Sequence, residues 1–172
     1  MGSCLFLGNY FKMPVLVPQV CLKTVLVFGV LLAPRACLAA PREEIESAYA
    51  RSSLALQLKY LDGVASIRAP GYRLISSEGL NLDLDIERRR LGQLLAPVLR
   101  ASESTSLLQF TPLSPERAKC RVRYVTVLVS MDQVTQRELR QTIVTECLDD
   151  WRLFGPRWLL VATRVVKQDV SR

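Results

Sequence analysis

Two long segments rich in β-branched and aromatic residues, 120–130 and 137–151, constrain most strongly what this 172-residue chain can fold into. Both are dominated by Val, Thr, Ile, Leu and Tyr, which suit a pleated, half-buried strand. Residues 131–135 separate them and are polar in the middle. The pattern predicts a long β-hairpin. Its turn type is left open, because the connection has neither Asn-Gly nor Asp-Gly.

Centring the connection between Gln133 and Val134 predicts a register for this hairpin. Its cross-strand pairs are then Cys120–Cys147, Arg121–Glu146, Tyr124–Ile143 and Leu128–Leu139. One face collects the mainly apolar side chains of Cys120, Val122, Tyr124, Thr126, Leu128, Leu139, Ile143, Thr145 and Cys147. The other carries Arg121, Arg123, Glu138, Arg140 and Glu146 among valines. Such pairs contribute about 0.2–1 kcal/mol each, and a one-residue slip would exchange the faces.

The N-terminal segment is typical of a secretory signal. No acidic residue precedes Glu43, and residues 24–33 form an apolar run of ten. That run is about half the length a membrane-spanning helix needs and suits a signal h-region. Small residues at Cys37 and Ala39 predict cleavage before Ala40. We therefore expect residues 1–39 to be a signal peptide and the protein to be exported, periplasmic or extracellular, without a stable membrane anchor. An uncleaved anchor, and a start at Met13, are left open.

Residues 40–172 then form one domain of 133 residues. It holds 20 basic and 16 acidic residues, a net charge of +4. The one basic run is 88–90, which predicts either the solvated face of a helix or a contact with an anionic surface. Nucleic-acid binding is not expected, because no wider basic stripe with interleaved aromatic residues accompanies the run.

Cys120 and Cys147 are the cysteines that remain after cleavage, and the chain has no histidine. In an exported protein the two predict either a disulfide or two small buried side chains. Two cysteines without histidine do not supply a usual zinc shell, so no metal is predicted, and no cofactor either. The absence of histidine also excludes histidine-based acid–base catalysis.

Periodicity predicts the order of the remaining elements. Helices are expected at 42–60, 61–67 and 85–100, the last capped by Asp83 or Asp85. A break at 69–71 precedes a short strand at 72–76, and further strands are expected at 104–111 and 158–168. Helices grouped before antiparallel strands indicate an α+β domain.

This order resembles the nuclear transport factor 2-like superfamily, which includes polyketide-cyclase-like (SnoaL-like) and ketosteroid-isomerase-like proteins. The resemblance covers residues 43–169. It rests on Ile45, Ala48 and Tyr49 in the first helix, the sequence Leu61-Asp62-Gly63-Val64, the sequence Asp149-Asp150-Trp151, and Gly155 with Trp158. It implies a cone-shaped fold in which N-terminal helices pack on a strongly bent, mainly antiparallel sheet. It also implies a pocket, and a dimer formed through the outer sheet face.

The resemblance does not bring a catalytic site with it. Enzymes of the family tend to use a His–Asp dyad, or a tyrosine with carboxyl groups, inside the cone. Here histidine is absent and residues 74–77 offer no carboxylate. The core face of the hairpin is predicted to present Thr126 and Gln141 rather than acids. Asp149 and Asp150, being adjacent on a strand, point to opposite faces and cannot share a proton. No catalytic residue is predicted.

The leading hypothesis is a non-catalytic domain that binds a small apolar or amphipathic ligand in its cone. The residues predicted to line the pocket are Tyr49, Ser52, Leu56, Tyr72, Tyr124, Thr126, Gln141, Trp151 and Trp158. The alternative for the aromatic residues among them is a packing role in the core. Two other functions are left open: a dimeric assembly module that uses the outer sheet face, and a lyase or hydrolase with a Tyr/Asp site.

Overall fold

The computed structural model describes residues 41–172, so the predicted signal peptide and the alternative start at Met13 lie outside the described residues. The elements are α1 (Pro41–Gln57), α2 (Leu61–Ala65), β1 (Arg68–Ile75), β2 (Asn81–Asp83), α3 (Leu84–Leu95), β3 (Val98–Ser114), β4 (Arg117–Met131), β5 (Glu138–Phe154) and β6 (Arg157–Ser171).

The six strands form one open sheet in the order β2-β1-β6-β5-β4-β3. All neighbouring pairs are antiparallel except β1 and β6, which run parallel. Register shifts interrupt the long pairs β3–β4 and β5–β6. Such bulges bend and twist the strands, and they curl the sheet around the helices. α1 packs on β3, and α3 contacts β1. The predicted α+β class, with N-terminal helices on a bent and mainly antiparallel sheet, is confirmed.

The hairpin β4–β5 exists, but its predicted register is wrong by two residues. Tyr124 lies opposite Thr145, not Ile143, and Arg121 lies opposite Leu148. The turn is centred later than expected, since Asp132 N donates to Arg137 O. A shift of two positions preserves the faces, because side chains alternate with a period of two. The predicted division into a core face and a charged outer face therefore holds, with Arg121 and Arg123 both bonded to Glu146 outside.

The same shift separates the two cysteines. Cys120 lies opposite Asp149, and Cys147 lies opposite Val122. The predicted cross-strand pair Cys120–Cys147, which made a disulfide conceivable, is therefore wrong. Both are buried free thiols. Burial raises the pKa of the Cys120 thiol to about 12 and raises that of Cys147 as well. A buried, protonated thiol is a poor nucleophile, which accords with a packing role for both side chains.

Several predicted boundaries differ from those observed. α1 ends at Gln57 rather than at residue 60, and Lys59 takes a left-handed conformation just beyond it. β1 starts at Arg68, ahead of the predicted break at 69–71. That break is an irregularity within the strand, with Gly71 at φ +77°. α3 ends at Leu95, ahead of Pro97, and residues from Val98 onward belong to β3.

Buried side chains from both helices and strands form the interior. One cluster includes Ile45 and Tyr49 of α1, Tyr72 of β1, and Val122 and Trp151 of the hairpin. A second joins Leu95, Val98 and Leu128. Asp83 caps α3, its Oδ1 accepting from Ile86 N at 2.8 Å, as the sequence predicts. Within residues 41–172, no helix combines the length and apolarity needed to cross a membrane.

Candidate functional site

A cavity of about 290 Å³ lies between the helices and the concave face of the sheet. Its apolar lining comes from residues of every layer: Leu56, Val64, Ile67, Leu74, Leu91, Leu94, Leu95, Leu128, Ile143, Leu160 and Val165. Leu94 and Gln168 line it and are exposed, so the cavity reaches the surface beside them. The size approaches that of pockets that hold small organic ligands, which begin at about 300 Å³.

Six of the nine predicted lining residues border this cavity, namely Tyr49, Ser52, Leu56, Tyr72, Tyr124 and Thr126. Three do not. Gln141 is on the core face, opposite Leu128, but beyond the cavity. Trp151 and Trp158 are buried in the main core cluster behind it.

Behind the cavity wall, two tyrosine hydroxyls donate to the carboxyl group of Asp149, and a tryptophan donates to one of those hydroxyls. Tyr49 Oη donates to Asp149 Oδ2 at 2.7 Å, and Tyr124 Oη donates to the same oxygen at 2.9 Å. Trp151 Nε1 donates to Tyr49 Oη at 2.9 Å. Tyr49 packs edge-on against both neighbouring rings, at centroid distances of 5.1 Å from Trp151 and 6.0 Å from Tyr124. The cluster joins α1, β4 and β5 at one point.

This arrangement stabilises the fold and presents little reactive chemistry to the cavity. Asp149 is 1% exposed, and burial raises its pKa, against the hydroxyl donors that favour the carboxylate. Burial is also the main cause that raises the pKa of Tyr49 and of Tyr124, and the charge of Asp149 raises both pKa values further. Since Tyr49 Oη both donates and accepts within the cluster, Tyr49 offers the cavity mainly its ring.

The raised pKa of Asp149 predicts a specific pH dependence of stability. The folded protein holds this proton more tightly than the unfolded chain, in which the pKa of Asp is about 3.9. Asp149 therefore makes its full contribution to the free energy of unfolding below pH ~4. This contribution is lost as the pH rises through the pKa that Asp149 has in the folded protein. Asp149→Asn keeps an acceptor for the tyrosines and removes the titration. We expect the stability difference, wild type minus variant, to fall with rising pH in urea denaturation between pH 4 and 8. A difference that is constant over this range would contradict the raised pKa.

A second polar group inside the cavity is an ion pair between Arg68 of β1 and Glu87 of α3. Arg68 Nη2 contacts Glu87 Oε1 at 2.7 Å, and the two side chains are 12% and 17% exposed. Arg68 Nη1 also donates to Val64 O, and the guanidinium lies 5.2 Å from the ring centre of Tyr72. Burial raises the pKa of Glu87, and the Arg68 charge opposes that rise. Among residues 41–172, Arg68 Nε and Glu87 Oε2 have no hydrogen-bond partner, and both atoms are shielded from solvent.

The third polar group is Glu103 of β3, on the wall towards α1. Its Oε1 accepts from Ser53 Oγ at 3.0 Å and its Oε2 accepts from Thr126 Oγ1 at 3.1 Å. Burial raises the pKa of Glu103. Glu103 and Tyr49 also line an outer groove of about 510 Å³ between α1 and β3. These two side chains therefore form a partition between the groove and the cavity.

Sequence reasoning missed four charged residues here, although the sequence carries signals for three of them. Asp149 continues the alternation of Thr145 and Cys147, so the statement that the core face of the hairpin bears no acid is wrong. Glu103 lay just outside the predicted strand. Glu87 precedes Leu91 by one helical turn. Arg68 had no such signal, because it stands before a break that turned out to be part of β1.

The groups that line the cavity can orient a polar ligand and can exchange protons through carboxyl groups of raised pKa. Residues 41–172 contain no group of three or more His, Cys, Asp or Glu placed to hold a metal ion. Asp150 is on the outer face, 3.8 Å from Lys119, so it does not share the site of Asp149.

Comparison with known proteins finds no matching family model and no matching curated protein sequence. Solved structures do match. A provisionally assigned scytalone dehydratase from Novosphingobium aromaticivorans is 13% identical, with a TM-score of 0.62 over 76% of this chain and 85% of that one. A protein of unknown function with a cystatin-like fold from Nostoc punctiforme is 14% identical, with a TM-score of 0.58 over 76% and 92%. The chain has the nuclear transport factor 2-like fold.

A further structure with this nuclear transport factor 2-like fold is a hexachlorocyclohexane dehydrochlorinase of the LinA type 2 form. It is 10% identical, with a TM-score of 0.59 over 76% of this chain and 88% of that one. The neighbours thus include enzymes as well as proteins of unknown function. Since a fold does not determine a function, the function has to be argued from the cavity itself.

Proposed function

We propose that this domain binds a small, largely apolar molecule in the cavity, without catalysing its conversion. The observation that carries the proposal is a cavity of about 290 Å³ whose walls are mostly aliphatic and aromatic. A few polar groups, Arg68, Glu87 and Glu103, stand among them. An apolar lining with sparse, fixed polar groups is the usual composition of a small-molecule site.

We further propose that the domain works outside the cytoplasm, after removal of residues 1–39. The support is the sequence pattern described above, a short apolar run followed by small residues before Ala40. The intact mass of the exported protein tests this, since cleavage predicts a chain that begins at Ala40.

A second candidate function is acid–base catalysis on the bound molecule. It is favoured by two carboxyl groups, Glu87 and Glu103, that line the cavity and have raised pKa values. Carboxyl groups whose pKa moves towards neutrality suit proton transfer. This form of the enzyme hypothesis replaces the Tyr/Asp site considered from the sequence, in which Asp62 is the acid, because Asp62 is 58% exposed, pairs with Arg88 and does not line the cavity.

A cavity-filling substitution tests the binding proposal. Thr145 lines the cavity, whereas Thr142 is on the outer face of the same strand, opposite Val127. We expect Thr145→Phe to reduce the fraction of protein carrying a bound molecule at least about tenfold, because the ring occupies the ligand's volume. Thr142→Phe, the same change outside the cavity, should leave that fraction unchanged. Native mass spectrometry of the purified proteins measures it.

The outcomes separate the candidate functions. Equal occupancy in the two variants would contradict binding in this cavity. A bound molecule that wild-type protein converts during incubation, with loss of conversion in Glu87→Gln or Glu103→Gln, would favour catalysis over binding alone. The same spectra report whether the chain is the dimer that the sequence resemblance implies.

A further inference from the structure

The outer face of the sheet carries a group of exposed basic side chains on three neighbouring strands, which we call the basic stripe. Its six basic residues are Arg117, Lys119, Arg121 and Arg123 of β4, Arg152 of β5 and Arg164 of β6. On β4 they alternate with the buried residues Ala118, Cys120 and Val122. No run of basic residues therefore marks the stripe in the sequence, and the register of the strands brings it together.

The acidic residues of this region do not neutralise the stripe. Lys119 lies 3.8 Å from Asp150, and Arg121 and Arg123 both bond to Glu146. Six bases and these two acids leave a net charge of +4, which equals the net charge of residues 40–172 as a whole. The rest of the domain is therefore balanced in charge, and its excess of positive charge is concentrated on this part of the outer face.

Three of the six basic residues, Arg117, Arg152 and Arg164, form no ion pair within residues 41–172. Arg117 and Arg152 also lie directly opposite each other on β4 and β5. Like charges at such a cross-strand pair destabilise a sheet. The fold gains nothing from this placement, whereas an anionic partner would relieve the repulsion.

A groove of about 350 Å³ lies within the stripe, and its lining combines charge with neutral polar and apolar groups. Three cations, two neutral polar residues and two apolar residues take part, namely Lys119, Arg121, Arg164, Gln109, Thr111, Leu148 and Ala162. Amide and hydroxyl groups can bond to the hydroxyls of a sugar, and aliphatic side chains can pack against its C–H groups. The groove therefore suits a sugar that bears an anionic group.

We infer that the basic stripe binds a linear acidic polysaccharide, a chain of sugars that carries carboxylate or sulfate groups. Guanidinium groups bind such oxyanions through two parallel hydrogen bonds. Alternate residues on a strand are about 6.8 Å apart, so the four cations of β4 extend over about 20 Å and can contact several charged groups of one chain. This interaction is separate from ligand binding in the cavity, which lies on the concave side of the sheet.

The charge and the shape of the face favour this partner over three others. A second copy packed face to face would set two stripes of the same sign against each other. A bilayer surface is flat, whereas the outer face is convex because the sheet curls around the helices, and a flexible chain can follow that curvature. A single-stranded nucleic acid relies on aromatic side chains for stacking, and none of the described residues that line the groove is aromatic.

Three polymers that share one backbone test the inference: dextran sulfate, carboxymethyl-dextran and uncharged dextran. Biolayer interferometry with the immobilised protein at pH 7 measures their affinities. We expect both charged polymers to bind and uncharged dextran not to bind. Raising NaCl from about 50 mM to about 500 mM should weaken binding at least about tenfold, because salt screens exposed charges. A deoxythymidine oligonucleotide and phosphatidylglycerol vesicles should each bind at least about tenfold more weakly than dextran sulfate.

Two triple variants that remove the same charge separate the stripe from net charge. The stripe variant is Arg117→Gln/Arg152→Gln/Arg164→Gln, and the control is Arg51→Gln/Arg89→Gln/Arg90→Gln, at exposed positions of α1 and α3. We expect the stripe variant to lose at least about tenfold in affinity for dextran sulfate and the control to lose less than about threefold. Thermal melting curves check that both fold, and Arg164→Gln alone, with an expected loss of about threefold, replaces a stripe variant that does not.

Equal losses in the two triple variants would overturn the inference, because net charge alone would then drive binding. Uncharged dextran that binds as tightly as dextran sulfate would overturn it as well. Tighter binding of the oligonucleotide or of the vesicles would assign the stripe to a different class of partner. None of these substitutions touches a residue that lines the cavity, so each result is independent of the proposed ligand binding there.

Discussion

Arg68→Leu is expected to lower the free energy of unfolding by about 3–5 kcal/mol at neutral pH, the usual cost of removing one partner from a buried ion pair. Glu87 would be left in the cavity wall with its charge uncompensated, where its side chain is only 17% exposed. The raised pKa of Glu87 adds a pH signature. The loss should shrink towards acidic pH, where Glu87 takes up a proton and no longer carries a charge. Urea denaturation followed by circular dichroism at several pH values measures both effects.

The double variant Arg68→Leu/Glu87→Leu separates charge burial from lost packing. We expect it to be more stable than Arg68→Leu alone, because two apolar side chains leave no unpaired charge. Arg42→Leu is the control, since Arg42 and Glu46 form an exposed pair 2.9 Å apart on α1. That substitution should change stability by less than about 1 kcal/mol. Strictly additive losses in the double variant would show that the two charges are not coupled.

Trp151→Ala is expected to destabilise the domain by about 3–5 kcal/mol, the range for truncating a large aromatic side chain in a packed core. Trp151 is 1% exposed, and it both fills the main cluster and donates to Tyr49 Oη at 2.9 Å. Circular dichroism should follow the unfolding, because the substitution removes a fluorophore.

A pair of phenylalanine substitutions isolates the hydrogen bond of Trp151. Trp151→Phe loses the indole N–H together with some ring volume, whereas Trp158→Phe loses ring volume at another buried tryptophan of the same cluster. The indole of Trp158 makes no hydrogen bond to any of residues 41–172. We expect Trp151→Phe to cost about 1 kcal/mol more than Trp158→Phe. Equal costs would indicate that the bond to Tyr49 adds nothing to the packing.

The fold was predictable because its main signal repeats with a period of two. The alternation in 120–130 and 137–151 assigns each side chain to a face, and that assignment survives the two-residue error in register. The turn could not be centred from the sequence, since its residues carry no turn signature. The break at 69–71 could not be recognised as part of β1, because Pro and Gly also mark turns and loops between elements.

The candidate site was less predictable than the fold, for a reason of physics. Tyr49, Tyr72, Tyr124 and Thr126 could be placed because each lies in a predicted helix or strand and joins an apolar body to a hydroxyl, which suits an apolar pocket with sparse polar groups. Arg68 and Glu87 neutralise each other only after β1 and α3 meet in space. Considered alone, each residue is expected to be a solvated surface charge, since an unpaired charge would not be buried. No local sequence pattern indicates such a pairing.

The hydrogen bond from Tyr49 to Asp149 ties α1 to the middle of the sheet. Tyr49 Oη of α1 donates to Asp149 Oδ2 and accepts from Trp151 Nε1, both on β5, so α1 cannot lift away without exposing a buried acid. α3 is held to β1 by the Arg68–Glu87 ion pair, and Leu95 is its one buried residue among those described. Because the cavity reaches the surface beside the exposed Leu94, a molecule can enter there while α1 keeps its hydrogen bonds to Asp149 and Trp151.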